Sequence, residues 1–222
     1  MNILKKYKQI YNIYENNISL NEQLIKGILY NDINIIKNTI KQGANVNEIV
    51  IRNYHKTTPL IIAINNSTFE IIKLLFSLGG NVNKIIDISQ GNIALTDATL
   101  KHNFKLIKYL IEEQEAIDYN NIAFLTAITE QVFNIVTYFI KNGSDVNATY
   151  DNTTALHYAA MERNLKIVLY LIENNANWFI QDSYNKYFID YLNNQQKDKL
   201  KNLYPKKYLK YLKLKKSNRF NI

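Results

Sequence analysis

The stretch TALHYAAMERNLKIVLYLIENN, residues Thr154 to Asn175, carries two short apolar runs at helical spacing with a polar joint between them. Leu156, Ala159 and Ala160 share one face of the first run, and Leu165, Ile167, Val168, Leu171 and Ile172 share one face of the second. The joint, Glu162 to Asn164, interrupts both stripes and reads as a tight turn. The spacing therefore predicts a helix, a turn and a second helix.

Outward from this stretch the same unit recurs. The small or polar residue ending each second helix is read as Gly43, Gly79, Gln114, Gly143 and Asn175, and 19 residues before each stands Leu24, Leu60, Leu95, Phe124 and Leu156. The distance from each ending to the next such position varies, running 17, 16, 10 and 13, then 14 to Ile189. A packed helix pair cannot gain a residue without turning its apolar stripe away from the core, whereas a surface linker can. Constant pairs with variable linkers are the pattern of a tandem repeat.

The copies read EQLIKG, TPLIIA, IALTDA, IAFLTA and TALHYA; their ends read GANVN, GGNVN, QEAID, GSDVN and NANWF. This pattern resembles the ankyrin repeat, whose signature is T-P-L-H-x-A and a second helix closing on G-A-D-V-N. The resemblance covers roughly residues 20 to 204. It implies an all-α fold, an ankyrin-repeat solenoid of stacked helix-turn-helix units with short hairpin loops. Pro59 suits the first turn of a helix, and glycine suits the left-handed closure of the second helix. Gln114 departs from that pattern, and a left-handed non-glycine residue there costs about 1 kcal/mol. The third copy, with Gln114 and the shortest linker, is the expected weak joint.

Residues 1–19, with Ile3, Leu4, Tyr7, Ile10, Tyr11 and Tyr14 apolar, read as a helix capping the first repeat. At the other end Asn185 to Leu192, NKYFIDYL, opens a sixth copy whose second helix is expected over Lys197 to Tyr204, with Leu200 and Tyr204 inward and Lys201 outward. Pro205 then ends or restarts the helix, leaving 205–222 as a basic tail.

Composition bounds the function. With 47% hydrophobic and 21% charged residues the chain is not compositionally disordered. It has no cysteine, so a thiolate metal site, a thiol nucleophile and disulfides are excluded. Lys5, Lys6 and Lys8 interrupt the N-terminal apolar positions, so no signal-peptide core is read, and no run reaches the length of a membrane span. A cytoplasmic setting is expected, or the cytoplasm or nucleus of a host cell. The net charge of +8 is uneven: Lys197 to Ile222 carries +9 and the first 196 residues −1. A neutral body with a basic tail is implied.

No catalytic constellation emerges, and neither metal nor cofactor is expected. His55, His102 and His157 lie in three different repeats without ligand spacing. His157 reads as a structural partner of Thr154, as in the family; His55 and His102 read as solvated. Glu112, Glu113, Glu115 and Asp118 form one acidic cluster, either a solvated face or a docking patch for a basic partner.

The family resemblance implies a partner-binding surface along the hairpin tips and the exposed first helices. Carried onto this chain, the helix positions are Asn65, Asn66, Lys101, Glu130, Met161 and Glu162. The hairpin positions are Arg52, Tyr54, Asp87, Tyr119, Tyr150, Asp151 and Tyr184. Tyrosine and arginine suit such tips because they combine large contact area with a polar end. The function expected is that of a non-enzymatic scaffold, monomeric, binding an unidentified protein. The alternative is a tail that binds an acidic surface, nucleic acid or anionic lipid, with the repeats as its carrier. The tail could equally pack its Tyr and Leu residues on the last repeat.

Overall fold

The structure, a computed structural model, describes residues 18–52, 54–84, 86 and 93–218 of the 222. The helix expected over 1–19, apart from its last two positions, lies outside them. Five helix pairs follow one another. They are α1 Leu20–Leu29 with α2 Ile33–Lys41, α3 Pro59–Asn66 with α4 Phe69–Ser77, and α5 Ile93–Leu100 with α6 Phe104–Glu112. Next come α7 Ile122–Thr129 with α8 Phe133–Lys141 and α9 Ala155–Met161 with α10 Leu165–Glu173. Among the described residues two antiparallel hairpins stand between pairs: β1 Val50–Arg52 with β2 His55–Thr57, and β3 Thr149–Tyr150 with β4 Thr153–Thr154. The chain forms two compact units, Met1–Ile88 with Lys108–Ala116, and Ser89–Ile107 with Ile117–Ile222, the division falling within α6.

Local chemistry sets the helix starts. Ser19 accepts from the amide of Glu22 at 3.2 Å, Asp32 from Asn34 and Ile35, Thr58 from Ile61, Thr154 from His157 and Asn164 from Ile167. Each side chain satisfies an amide that the first turn leaves without an intrahelical partner. The joints close by a recurrent bond from the residue opening the second helix to a carbonyl of the first: Asp32 to Gly27, Asn103 to Ala98, Val132 to Ala127 and Asn164 to Ala159. The residue before each takes positive φ: Asn31, His102, Gln131 and Arg163. Glu162 to Asn164 is thus a turn, as its polarity indicated.

The five positions Leu24, Leu60, Leu95, Phe124 and Leu156 are all essentially inaccessible. Three residues beyond each stands Gly27, Ala63, Ala98, Ala127 or Ala159, also buried. A small residue is needed where the second helix crosses: a Cβ on Gly27 would stand 2.9 Å from the side chain of Ile35.

The second-helix ends correct one expectation. Gly43, Gly79, Gly143 and Asn175 take positive φ, and the residue after each donates five residues back: Ala44 to Thr39, Gly80 to Leu75, Ser144 to Phe139 and Ala176 to Leu171. In the third copy the left-handed residue is Glu115 (φ 52°) rather than Gln114, and Ala116 reaches six residues back to Leu110. One residue has been inserted after α6, so the pair spans 20 positions from Leu95 to its closure, and not 19. The inserted residue falls after the last buried position of the helix, Leu110, so the apolar stripe is undisturbed.

Within the first unit α1 packs on α2 and α3. Within the second, α5, α7, α9 and the 3₁₀ helix Phe188–Tyr191, one turn long, lie side by side. Within each unit edge-on aromatic pairs join residues of the second helices. Phe69 meets Tyr109 edge-on at 5.1 Å in the first unit, while Phe104 meets Tyr138 and Phe133 meets Tyr170, each at 5.3 Å, in the second.

The sixth copy is truncated. Where a first helix was expected, Phe188–Tyr191 makes one 3₁₀ turn, and the second helix, α11, spans Asn194–Leu203. The start at Asn194 follows from a capping box between Asn193 and Gln196. Leu200 is buried, Tyr204 half-buried and Lys201 exposed, as the terminal position demands. Pro205 then opens a further helix, α12 Pro205–Asn218.

Candidate partner-binding surface

In the first unit the β1–β2 hairpin places Tyr54 at its tip, fully exposed and at positive φ. Arg52 folds back: its guanidinium donates to the Glu22 carboxylate at 2.7 Å. The tip therefore offers Tyr54, while Arg52 is engaged with the neighbouring repeat. Asn65 and Asn66 end α3 and are exposed; the Asn66 amide donates to the Ile62 carbonyl at 2.9 Å. Asp87 lies outside the described residues.

In the second unit the C-terminal ends of parallel neighbours carry Lys101 after α5, Glu130 after α7, and Met161 and Glu162 at the end of α9. Two cross-repeat contacts tie this row together. The His102 ring meets the Glu130 carboxylate at 3.2 Å, and the Gln131 amide donates to Glu162 at 3.3 Å. His102, about half exposed, thus has a carboxylate neighbour across the joint as well as solvent, and its positive φ places it there. The hairpin positions also adjoin: the 3₁₀ turn Tyr119–Asn121 lies against β3. Tyr150 is about half exposed, with Asp151 and Asn152 both at positive φ making the hairpin turn beside it. Tyr184, 74% exposed, stands in the linker that follows.

The linkers owe their form to asparagine. The Asn45 amide N–H donates to Asn21 at 2.8 Å, that of Asn81 to Asn47 at 2.7 Å, and that of Asn177 to Asn147 at 2.7 Å. The side-chain amides of Asn47 and Asn83 donate onward to the carbonyls of Gly79 and Glu115. The repeated Asn of the GANVN ends thus link the first linker to the second and the second to Glu115, and, in the second unit, the linker at Asn147 to that at Asn177. Their recurrence in the sequence was visible; their partners, some thirty residues distant, were not.

His157 is buried between repeats. Its Nε2 lies 3.0 Å from the Lys186 carbonyl, which can only accept, so Nε2 carries the proton. Nδ1 then accepts from the Thr154 hydroxyl at 2.7 Å, and the Thr154 oxygen accepts from the His157 amide at 3.3 Å. Burial holds the imidazole pKa below its ordinary value. The pairing with Thr154 is the expected one, and the bond to Lys186 adds an inter-repeat tie. The ring serves structure: both nitrogens are committed.

Asp118 does not belong with the acidic surface. Its carboxylate accepts from the amides of Ala123 and Phe124 at 2.9 and 2.8 Å, capping α7, where Ile122 stands in place of the threonine of two other copies, Thr58 and Thr154. Burial pushes its pKa up to about 6, opposed by those two bonds. Glu112, Glu113 and Glu115 remain at the surface. Among the described residues no cluster of three or more His, Asp or Glu could hold a metal ion, and no helix is long and apolar enough to cross a membrane.

The comparisons agree with this architecture. The family model described as ankyrin repeats matches residues 24–123 and 117–182. An ankyrin repeat protein of Acanthamoeba polyphaga mimivirus is 29% identical over 128 residues, 58% of this chain and 24% of its own length. The nuclear factor NF-kappa-B p105 subunit of Gallus gallus is 30% identical over 170 residues, 72% of this chain and 16% of its own. The chain thus spans about a quarter or less of these curated relatives. The solved human ASB11 ankyrin repeat domain superposes with a TM-score of 0.65 at 18% identity, covering 83% of this chain and 86% of that one. Tandem helix pairs with the shared signature and the matching model establish that the chain belongs to the ankyrin repeat family.

Proposed function

We propose that the chain is a non-enzymatic interaction module that binds a partner protein through its hairpin tips and the exposed ends of its first helices. Ankyrin repeats are in general protein-interaction modules, and this reading gives that role a location. The observation that carries it is the exposure of large side chains at these positions in the second unit: Tyr150, Met161 and Tyr184. Nothing in the packing requires them there, since the core positions of the same repeats are filled by Leu156, Ala159 and Ala160. The His102–Glu130 and Gln131–Glu162 contacts hold side chains of the helix-end row together before binding, which lowers the ordering cost there. In this reading the repeats over 20–204 carry the interaction, as a monomer in the cytoplasm.

The test is affinity capture from cytoplasmic extract by the intact chain and by Y150A/D151A/M161A/E162A. A control variant changes the exposed outer-helix positions Lys141 and Lys166 to glutamate. Capture lost in the first variant and kept in the second, with unchanged circular dichroism, supports this face. Capture kept in the first and lost in the second places the interaction elsewhere.

A further inference from the structure

The helix α12, Pro205–Asn218, has two faces of different chemistry. One face docks on the end of the repeats. Tyr211 is buried, its hydroxyl donating to Asp190 at 2.9 Å, its ring edge-on to Tyr187 at 5.7 Å and to Tyr208 at 5.6 Å. Lys215 pairs with the same Asp190 carboxylate. Lys207 lies over the Trp178 ring at 5.6 Å and Lys210 over Phe179 at 4.4 Å. Every tyrosine of the helix is committed to this side.

The opposite face carries Lys206, Leu209, Leu212, Lys213 and Lys216. Their spacing places all five on one broad arc of the helix away from Tyr211. Leu209 is 58% exposed and Leu212 38%, and Leu203 at the end of α11 is 52% exposed. No acidic residue lies between Pro205 and Asn218. Leu209 and Leu212 projecting among these lysines give the helix an apolar strip that the repeats leave uncovered.

We propose that this face docks α12, flat, on an anionic lipid bilayer, independently of the partner surface above. Lysines meet the negative headgroups, and Leu209 and Leu212 enter the headgroup boundary, as for an interfacial amphipathic helix. The leucines decide between this occupant and nucleic acid. A phosphate backbone uses the lysines but gains nothing from exposed leucine, and base stacking needs aromatic faces. Here Tyr208 and Tyr211 are turned inward against each other. The inward anchors, Tyr211 and Lys215 on Asp190, fix which face is presented.

The intact chain is sedimented with vesicles of phosphatidylcholine alone and with 30% phosphatidylserine at physiological salt. Binding is expected to the second only, to weaken as salt is raised, and to fall at least about tenfold in K206E/K213E/K216E. In L209S/L212S binding is expected to fall several-fold with all charges kept. Both variants alter exposed residues, and circular dichroism checks that they fold. No binding to either vesicle, or binding unaffected by the leucine pair, overturns the proposal. So does preferential binding to a single-stranded or duplex oligonucleotide that the leucine variant retains in full.

Discussion

At His157 and Asp118 burial acts on two groups of opposite charge type, and the consequences for stability have opposite sign. His157 is held below its ordinary 6.5, so the unfolded chain binds its proton more readily; the stability it supports is complete above pH 6.5 and is lost as pH falls from there. Asp118 is raised from 3.8 to about 6, so the folded chain binds the proton more readily, and stability falls as pH rises from about 4 to 6. Carbon-13 titration should place the Asp118 carboxyl midpoint near 6; a midpoint below 4 would refute its burial as the dominant influence. Thr96 stands where His157 stands in its own repeat, and its hydroxyl is buried without a hydrogen-bond partner among the described residues. Thr96→Val should therefore be neutral or stabilise by up to about 1 kcal/mol in denaturant unfolding, because it removes an unsatisfied group and keeps the shape. Destabilisation beyond about 1 kcal/mol would reveal a partner for the hydroxyl. The structural role of His157 was legible from its motif. That of Asp118 was not, because its five- and six-residue reach to Ala123 and Phe124 matches no local capping spacing.

The third helix pair shows how an element absorbs an insertion. The sequence placed the departure at Gln114, since the helix pair was counted at constant length; hydrogen bonding moves the left-handed position to Glu115. Glu115→Gly should stabilise by about 1 kcal/mol by removing the Cβ penalty, while Gln114→Gly should destabilise by about 0.5–1 kcal/mol through the entropy of a residue with ordinary backbone. Thermal unfolding of the two variants distinguishes the registers, and the reverse order would restore Gln114 as the closure. The terminal helix α12 depends on one carboxylate, since Asp190 receives Tyr211, Lys215 and the Tyr187 amide together. Asp190→Ala should increase amide exchange over 205–218 while leaving α9 and α10 protected. Unchanged exchange would mean that the aromatic and cation–π contacts suffice. The helical periodicity of 205–218 was readable from sequence; the face it buries was not, since lysines occur all around the helix and Leu209 with Leu212 compete with Tyr208 and Tyr211 as its apolar face.

For the molecule, stability in a repeat array is set by each helix pair and its contacts with neighbours. The segment 113–118 contains the inserted residue, holds exposed Glu113 and Glu115, and has a left-handed glutamate. Around His157 the capping, the imidazole bonds and full burial coincide. Amide exchange should be faster over 113–118 than over 156–160, and equal protection would count against this gradient.

The sequence by itself determined the number of helix pairs, their apolar stripes and the terminal positions where lysine replaces an apolar residue. Those features are local: a helix must repeat its apolar face every three or four residues, and five copies average out individual wear. Tertiary structure decided where the extra residue of the third pair lies, that the sixth pair begins with one turn, and how distant groups pair. Asn47 with Asn81, His157 with the Lys186 carbonyl and Tyr211 with Asp190 are separated by more than twenty residues each or lie on different elements. No periodicity encodes such pairs, because they depend on how successive units are stacked in space.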